Sequence, residues 1–139
     1  MHPRKAIRHA VVAQLTGKTS AGQSVFATRE VPWRQVELPG ISVYTLEEDD
    51  QNGKRPVKLA VLLVASLNEK VDDALDDLAA EVEAVLNADL SFGGTAMASR
   101  YTGMLEEILE NQGVPVGAMR ITYEAWYLGR PSVLSSSTA

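Results

Sequence analysis

Gly17-Lys18-Thr19, within the stretch LTGKTSAGQ, ends the way the phosphate-binding loop of many nucleotide hydrolases ends. That loop also needs a glycine five positions before Gly17, where the backbone curls around the phosphates, and Val12 stands there. It must run from a strand into a helix, so that the amides at the helix N-terminus face the anion. Here a helical pattern precedes the tripeptide and a strand pattern follows it. The carbonyls of a helix C-terminus carry partial negative charge and repel phosphate. Lys18 and Thr19 therefore read as loop residues, and nucleotide chemistry is not expected.

Other chemistry-bearing types fare no better. Glu47, Glu48, Asp49 and Asp50 form an acidic run. They lack the alternate spacing and central glycine of a calcium loop, so any cation site there would be weak and shared between subunits. His2 and His9 are the only imidazoles and have no readable carboxylate partner. No G-x-S-x-G elbow surrounds any serine. With no cysteine, thiolate metal sites, disulfides and cysteine nucleophiles are out of reach. Trp33, Trp126, Tyr123 and Tyr127 suit core or interface packing better than a ligand platform. The expectation is a protein that is not an enzyme, with no catalytic, cofactor-binding or metal residues.

A chain of 139 residues, 45% apolar and 22% charged, is long enough for one domain with a real core. The expected division is a domain over 1–130 and a flexible tail over 131–139. No segment approaches the roughly 20 apolar residues of a membrane span, so a soluble protein is expected. The net charge of -5 hides a segregation. Residues 1–35 are strongly basic, 36–53 purely acidic, 54–58 basic again, and 59–89 carry acids opposed only by Lys70. Such polarity suits a molecule that meets oppositely charged partners on different faces.

The elements that would position these charges follow from periodicity. Ile7, Val11, Val12 and Leu15 at helical spacing predict a helix over about 4–16, stopped by Gly17. SVFATREV predicts a strand at about 24–30. ISVYTLEE alternates Ile41, Val43 and Thr45 against Ser42, Tyr44 and Leu46. Gln51-Asn52-Gly53 then makes a hairpin connection. VKLAVLLVASL, continuously apolar, predicts a central strand covered on both faces. Val71, Leu75, Leu78, Val82, Val85 and Leu86 predict an amphipathic helix over about 69–87, with Asn68 as its N-cap. Phe92-Gly93-Gly94 breaks the pattern, and Gly93-Gly94 reads as a hinge between elements. The segment 102–110 has helical spacing in Met104, Leu105, Ile108 and Leu109. RITYEAWYL alternates as a strand.

This order of elements, with "LPGISVYTLEE" and "TGMLEEILENQGVPVGAMRITYEAWY" as its most telling pieces, resembles the tail terminator proteins of long-tailed bacteriophages, the minor tail protein U type, over nearly the whole chain. The resemblance implies two long antiparallel strands around a glycine-containing turn at about 101–128, against the local helical pattern of 102–110. The expected fold class is α+β, a two-layer arrangement with a mixed, mainly antiparallel sheet of about 4–5 strands packed against two helices. The implied role is structural: a homo-hexameric ring at the head-proximal end of the virion tail, made in the host cytoplasm. It would cap the major tail tube protein, stop elongation and offer a surface to the head–tail connector protein. DNA would pass its lumen without sequence-specific binding, and no membrane is involved. The loops 16–23, 29–39 and 47–56 are the expected docking faces. Their charged residues, Arg29, Arg34, Glu47, Glu48, Asp49, Asp50, Lys54 and Arg55, are the candidate interface positions, with the four cations expected to be exposed. A head–tail adaptor of the neck shares this size and composition, and a small ligand-binding domain would instead need an enclosed pocket.

Overall fold

The computed structural model describes residues 2–128. Position 1 and the expected tail at 131–139 lie outside the described residues. The order of elements is α1 (Pro3–Leu15), β1 (Val25–Ala27), a short 3-10 turn (Gln35–Glu37), β2 (Gly40–Glu48), β3 (Lys54–Ser66), α2 (Val71–Asn87), β4 (Ala98–Glu107) and β5 (Val116–Leu128). The five strands form one sheet in the order β1-β2-β3-β5-β4. Only β1 and β2 run parallel; the other neighbours are antiparallel. Both helices lie on one face, α1 over β1 and β2, α2 over β3 and β5. The α+β two-layer expectation stands.

Helix α1 begins where Pro3 pre-sets the first helical φ and His2 Nδ1 accepts from the Arg4 amide at 3.0 Å. It buries Ile7, Val11 and Leu15, the stripe its spacing dictates. Gly17, with φ 75°, turns the chain out of the helix. In α2 the buried side chains are Leu75, Leu78, Ala79, Val82 and Leu86, with Val71 and Val85 half-buried at the margin. Its N-cap is Lys70, which makes no side-chain cap. Asn68 acts two residues earlier, its Oδ1 accepting from the Lys70 amide at 2.8 Å and its carbonyl from Val71. The Asx turn forms, but it precedes the helix instead of capping it.

Ile41 and Val43 of β2, Val57, Leu59, Val61 and Leu63 of β3, and Ile121, Tyr123 and Ala125 of β5 meet these helices as the main core. The period-two reading of β2 and β5 is therefore correct. The β2–β3 turn places Asn52 at φ 55° and Gly53 at φ 89°, two consecutive left-handed residues that match the twist of a tight hairpin.

The strand expected at 24–30 shrinks to Val25–Ala27, because Thr28 takes φ 50° and the chain leaves the sheet edge. It then crosses to the face without helices. There Trp33 packs with Val64, Val116 and Ala118, and half-buried Phe26, Leu38, Leu62 and Leu109 join them. That small second core covers only the end of β3. The expectation that β3 is covered on both faces holds at Val64 and fails toward Lys58, which is only half-buried. The segment 89–95 is a pinned turn and not a hinge. Asp89 accepts from the Ser91 amide and hydroxyl and from the Gly93 amide, at 3.0, 2.6 and 2.9 Å, while Phe92 is fully buried.

Segment 98–107 is strand, as the resemblance implied and against its local pattern. It pairs with β5 from Ala98↔Trp126 to Glu107↔Ala118, with a bulge between Tyr101 and Gly103. Gly103 has φ 152° there, a conformation that side-chain-bearing residues rarely adopt.

Candidate interaction surfaces

Chemistry-bearing side chains concentrate in three places: the 29–37 crossing, the 47–55 hairpin end, and the flank made by α2 and β4. The first is not a free surface. The Arg29 guanidinium lies 4.7 Å from the Phe26 ring centre and 4.6 Å from that of Trp33. It donates to both Glu37 carboxylate oxygens at 2.7 Å and to the carbonyls of Val31 and Pro32 at 3.1 and 2.7 Å. Its side chain is 7% exposed, so the expectation that Arg29 is an exposed cation is wrong. A planar, fork-shaped cation with four of its five N–H donors bonded, two of them to a carboxylate, can be buried at modest cost. These bonds from Arg29, with one from the Arg34 amide at 3.0 Å, hold the Glu37 carboxyl at about 2, down from 4.5. Asn111 closes the crossing from the other side. Its Oδ1 accepts from the Trp33 amide at 2.6 Å, and its Nδ2 donates to the carbonyls of Trp33 and Val114 at 3.0 and 2.7 Å. Arg34 does project, its side chain 74% exposed beside Glu37.

At the hairpin end the acids and bases mostly satisfy one another. Glu48 accepts from Arg4 at 2.9 Å and from the Tyr127 hydroxyl at 2.6 Å. Burial first, and then this bond, push the Tyr127 hydroxyl up from its usual range. Glu47 pairs with Lys58 at 3.3 Å, and Asp50 with Arg55 at 3.9 Å. Asp50 also accepts from the Gly53 amide at 2.9 Å, which fixes the turn. Lys54 lies 4.7 Å over the Trp126 ring, and Asp49 is exposed. Thus Glu47, Glu48, Asp50, Lys54 and Arg55 come together within one hairpin, while Arg29 and Arg34 sit on the separate crossing. Among the described residues no three His, Cys, Asp or Glu side chains converge as a metal site would require. The open sheet face behaves similarly: Arg100 pairs with Glu124 at 3.2 Å and Arg120 with Glu107 at 2.9 Å.

The third place was not singled out by residue type. β4 is an edge strand of ten residues, and Tyr101, Met104 and Leu105 along it are exposed. Ile108, just beyond it, is 96% exposed. Between β4 and the first turns of α2 runs a cleft of about 310 Å³, with Val71, Leu75, Met104, Ala118 and Met119 beneath Asp72, Asp76, Glu106 and Glu107. Long, apolar, unpaired edges are rare on isolated proteins, because their backbone groups and side chains template pairing with another chain. The sequence signal was the apolar content of 104–109, which helical spacing disguised. No helix among the described residues is long and apolar enough to cross a membrane.

No protein-family model matches this chain. No curated protein matches it either. Among solved structures, it is similar to a chain of the "Virion of native gene transfer agent (GTA) particle", at 15% identity over 90% of this chain and 96% of that one, with a TM-score of 0.40. A likeness that loose leaves the function of this chain open.

Proposed function

We propose that this protein is a structural component of a phage-like particle, and within that class a ring-forming tail terminator. In this reading six copies close on the finished tail tube, halt its elongation and present a second rim to the head connector. The observation that supports it best is the β4–β5 pair. Local spacing favoured a helix at 102–110, the resemblance required a strand, and the strand is present over Ala98–Glu107. A coincidence of composition would not carry a fold expectation past contrary local propensity. Surface chemistry also fits a molecule that works by contact: among the described residues an unpaired apolar edge lies on one flank and a charged hairpin elsewhere.

The test is reconstitution with polymerising tail-tube protein from the same genome. The terminator reading expects substoichiometric chain to arrest elongation and to leave tubes capped at one end. Binding to connector rings without arresting tubes would replace it by the neck-adaptor reading. A chain that stays monomeric and binds a small metabolite would remove both.

A further inference from the structure

We infer that the β4–α2 flank is the seat of a second copy of this chain, which enters with the opposite flank, formed by α1 and the outer edge of β2. The inference rests on the ring-forming reading and adds which surfaces meet. Helix α2 carries six acids and no base. Among the described residues none of those six takes part in an ion pair. Glu81 is held by the Ser20 amide and hydroxyl at 3.1 and 2.7 Å, and Asp77 lies on that same side of the helix. Asp72 and Asp76, however, line the cleft beside the apolar edge strand, and their charge is left over there.

The complementary charge lies on the far side. α1 faces α2 with the side that carries Gln14, whose amide reaches Asp89 at 3.4 Å. At about 3.6 residues per turn, Lys5 stands half a turn away from Gln14, on the flank remote from α2. Arg8 lies beside it, bonded among the described residues only to the Thr45 hydroxyl, at 3.2 Å. Neither Lys5 nor Arg8 takes part in an ion pair among the described residues. Beneath them β1 pairs only with Ile41–Val43, so among the described residues the outer edge of β2 beyond Val43 is unpaired too.

Each copy therefore has, among the described residues, unspent acids beside a long free edge on one flank and unspent bases beside a short free edge on the other. Surfaces that are complementary to each other, and not to themselves, join head to tail and repeat around a ring. Like-charged flanks would repel, which disfavours β4 pairing with β4 and fixes the direction of the contact.

The absence of cysteine makes the test clean. Lys5→Cys and Met104→Cys are introduced together and separately into the full chain, which is treated at high concentration and low salt with a short bis-maleimide. The double variant is expected to give a ladder of covalent oligomers, each single variant to remain monomeric, and a mixture of the two singles to stop at dimers. Adding Asp72→Lys and Asp76→Lys to the double variant is expected to lower the ladder yield about tenfold. Self-crosslinking of Met104→Cys alone, or a double variant that stays monomeric with circular dichroism unchanged, overturns the inference. The outcome is separable from that of the terminator reading. A chain that ladders but never arrests tubes keeps the interface and loses the function; a chain that arrests tubes without laddering loses the interface alone.

Discussion

Arg29 and Glu37 are the residues whose removal should be felt most directly. Arg29 is buried against the Phe26 and Trp33 rings and Glu37 is nearly buried beside it, so cutting one partner leaves the other charge without compensation. Glu37→Gln is expected to cost about 2–3 kcal/mol at pH 7, less than a fully isolated pair because Arg29 keeps its two carbonyl acceptors. Chemical denaturation of both proteins measures this. The pH dependence has a defined sign. Glu37 titrates lower in the folded chain than in the unfolded one, so its contribution is complete above about 4.5 and is lost as the pH falls toward about 2. Acid unfolding curves should accordingly be shallower in Glu37→Gln than in the parent over that window. Gly40 makes a second prediction nearby. A Cβ there would run into the Trp33 ring and, at 2.8 Å, into the Glu37 carbonyl. Gly40→Ala should destabilise by about 1–3 kcal/mol, read as a lower melting temperature with Trp33 fluorescence shifted to the red.

At the scale of elements, α2 and β4 behave oppositely under mutation. Leu86 is fully buried in the helix-facing core, so Leu86→Ala should cost about 2–5 kcal/mol with cavity formation. Ile108 contributes almost nothing to the isolated fold, being nearly fully exposed. Ile108→Lys should leave stability within about 0.5 kcal/mol of the parent while impairing tube arrest. A stability loss as large as that of Leu86→Ala would place Ile108 in the core and remove it from the interface. These two elements also show how legible the chain was. The α2 stripe could be read because a helix packed on one sheet repeats its buried face every three to four residues. β4 could not, because neither of its faces is buried: Ser99 is its one buried residue, and α2 stands off across the cleft. Its alternation is blurred, and the bulge at Tyr101–Gly103 then changes phase.

For the molecule as a whole, charge predicts behaviour in salt. The unspent acids of α2 and bases of α1 are exposed or half-buried, so their attraction is screened as the Debye length falls from about 10 Å at 0.1 M to about 3 Å at 1 M. Self-association measured by sedimentation should weaken over that range, whereas the melting temperature should barely move. The hairpin end tests a different rim. Lys54→Glu with Arg55→Glu should keep the fold, with some loss of stability, because Lys54 overlies Trp126 at the surface whereas half-buried Arg55 faces Asp50, Glu48 and Tyr127. It should lower tail joining in the reconstitution, and undiminished joining would remove the hairpin from the docking surface.

The sequence by itself determined the two helices, the β2–β3 hairpin, the alternating strand β5 and the failure of Gly17-Lys18-Thr19 as a phosphate loop. Each depends on residues within one turn, one pleat or one motif length of each other. The local pattern misread 98–107, which only the resemblance implied to be a strand, and the tertiary structure alone decided that Arg29 is buried and not displayed and that the acids and bases at the hairpin end are largely spent on each other. Those outcomes depend on partners far away in the chain: β5 for the strand, Trp33 and Glu37 beneath the crossing, and Arg4 and Tyr127 for Glu48. Periodicity reports the shape a segment prefers, but whether a charge is free to meet another molecule is settled only when the fold has chosen its neighbours.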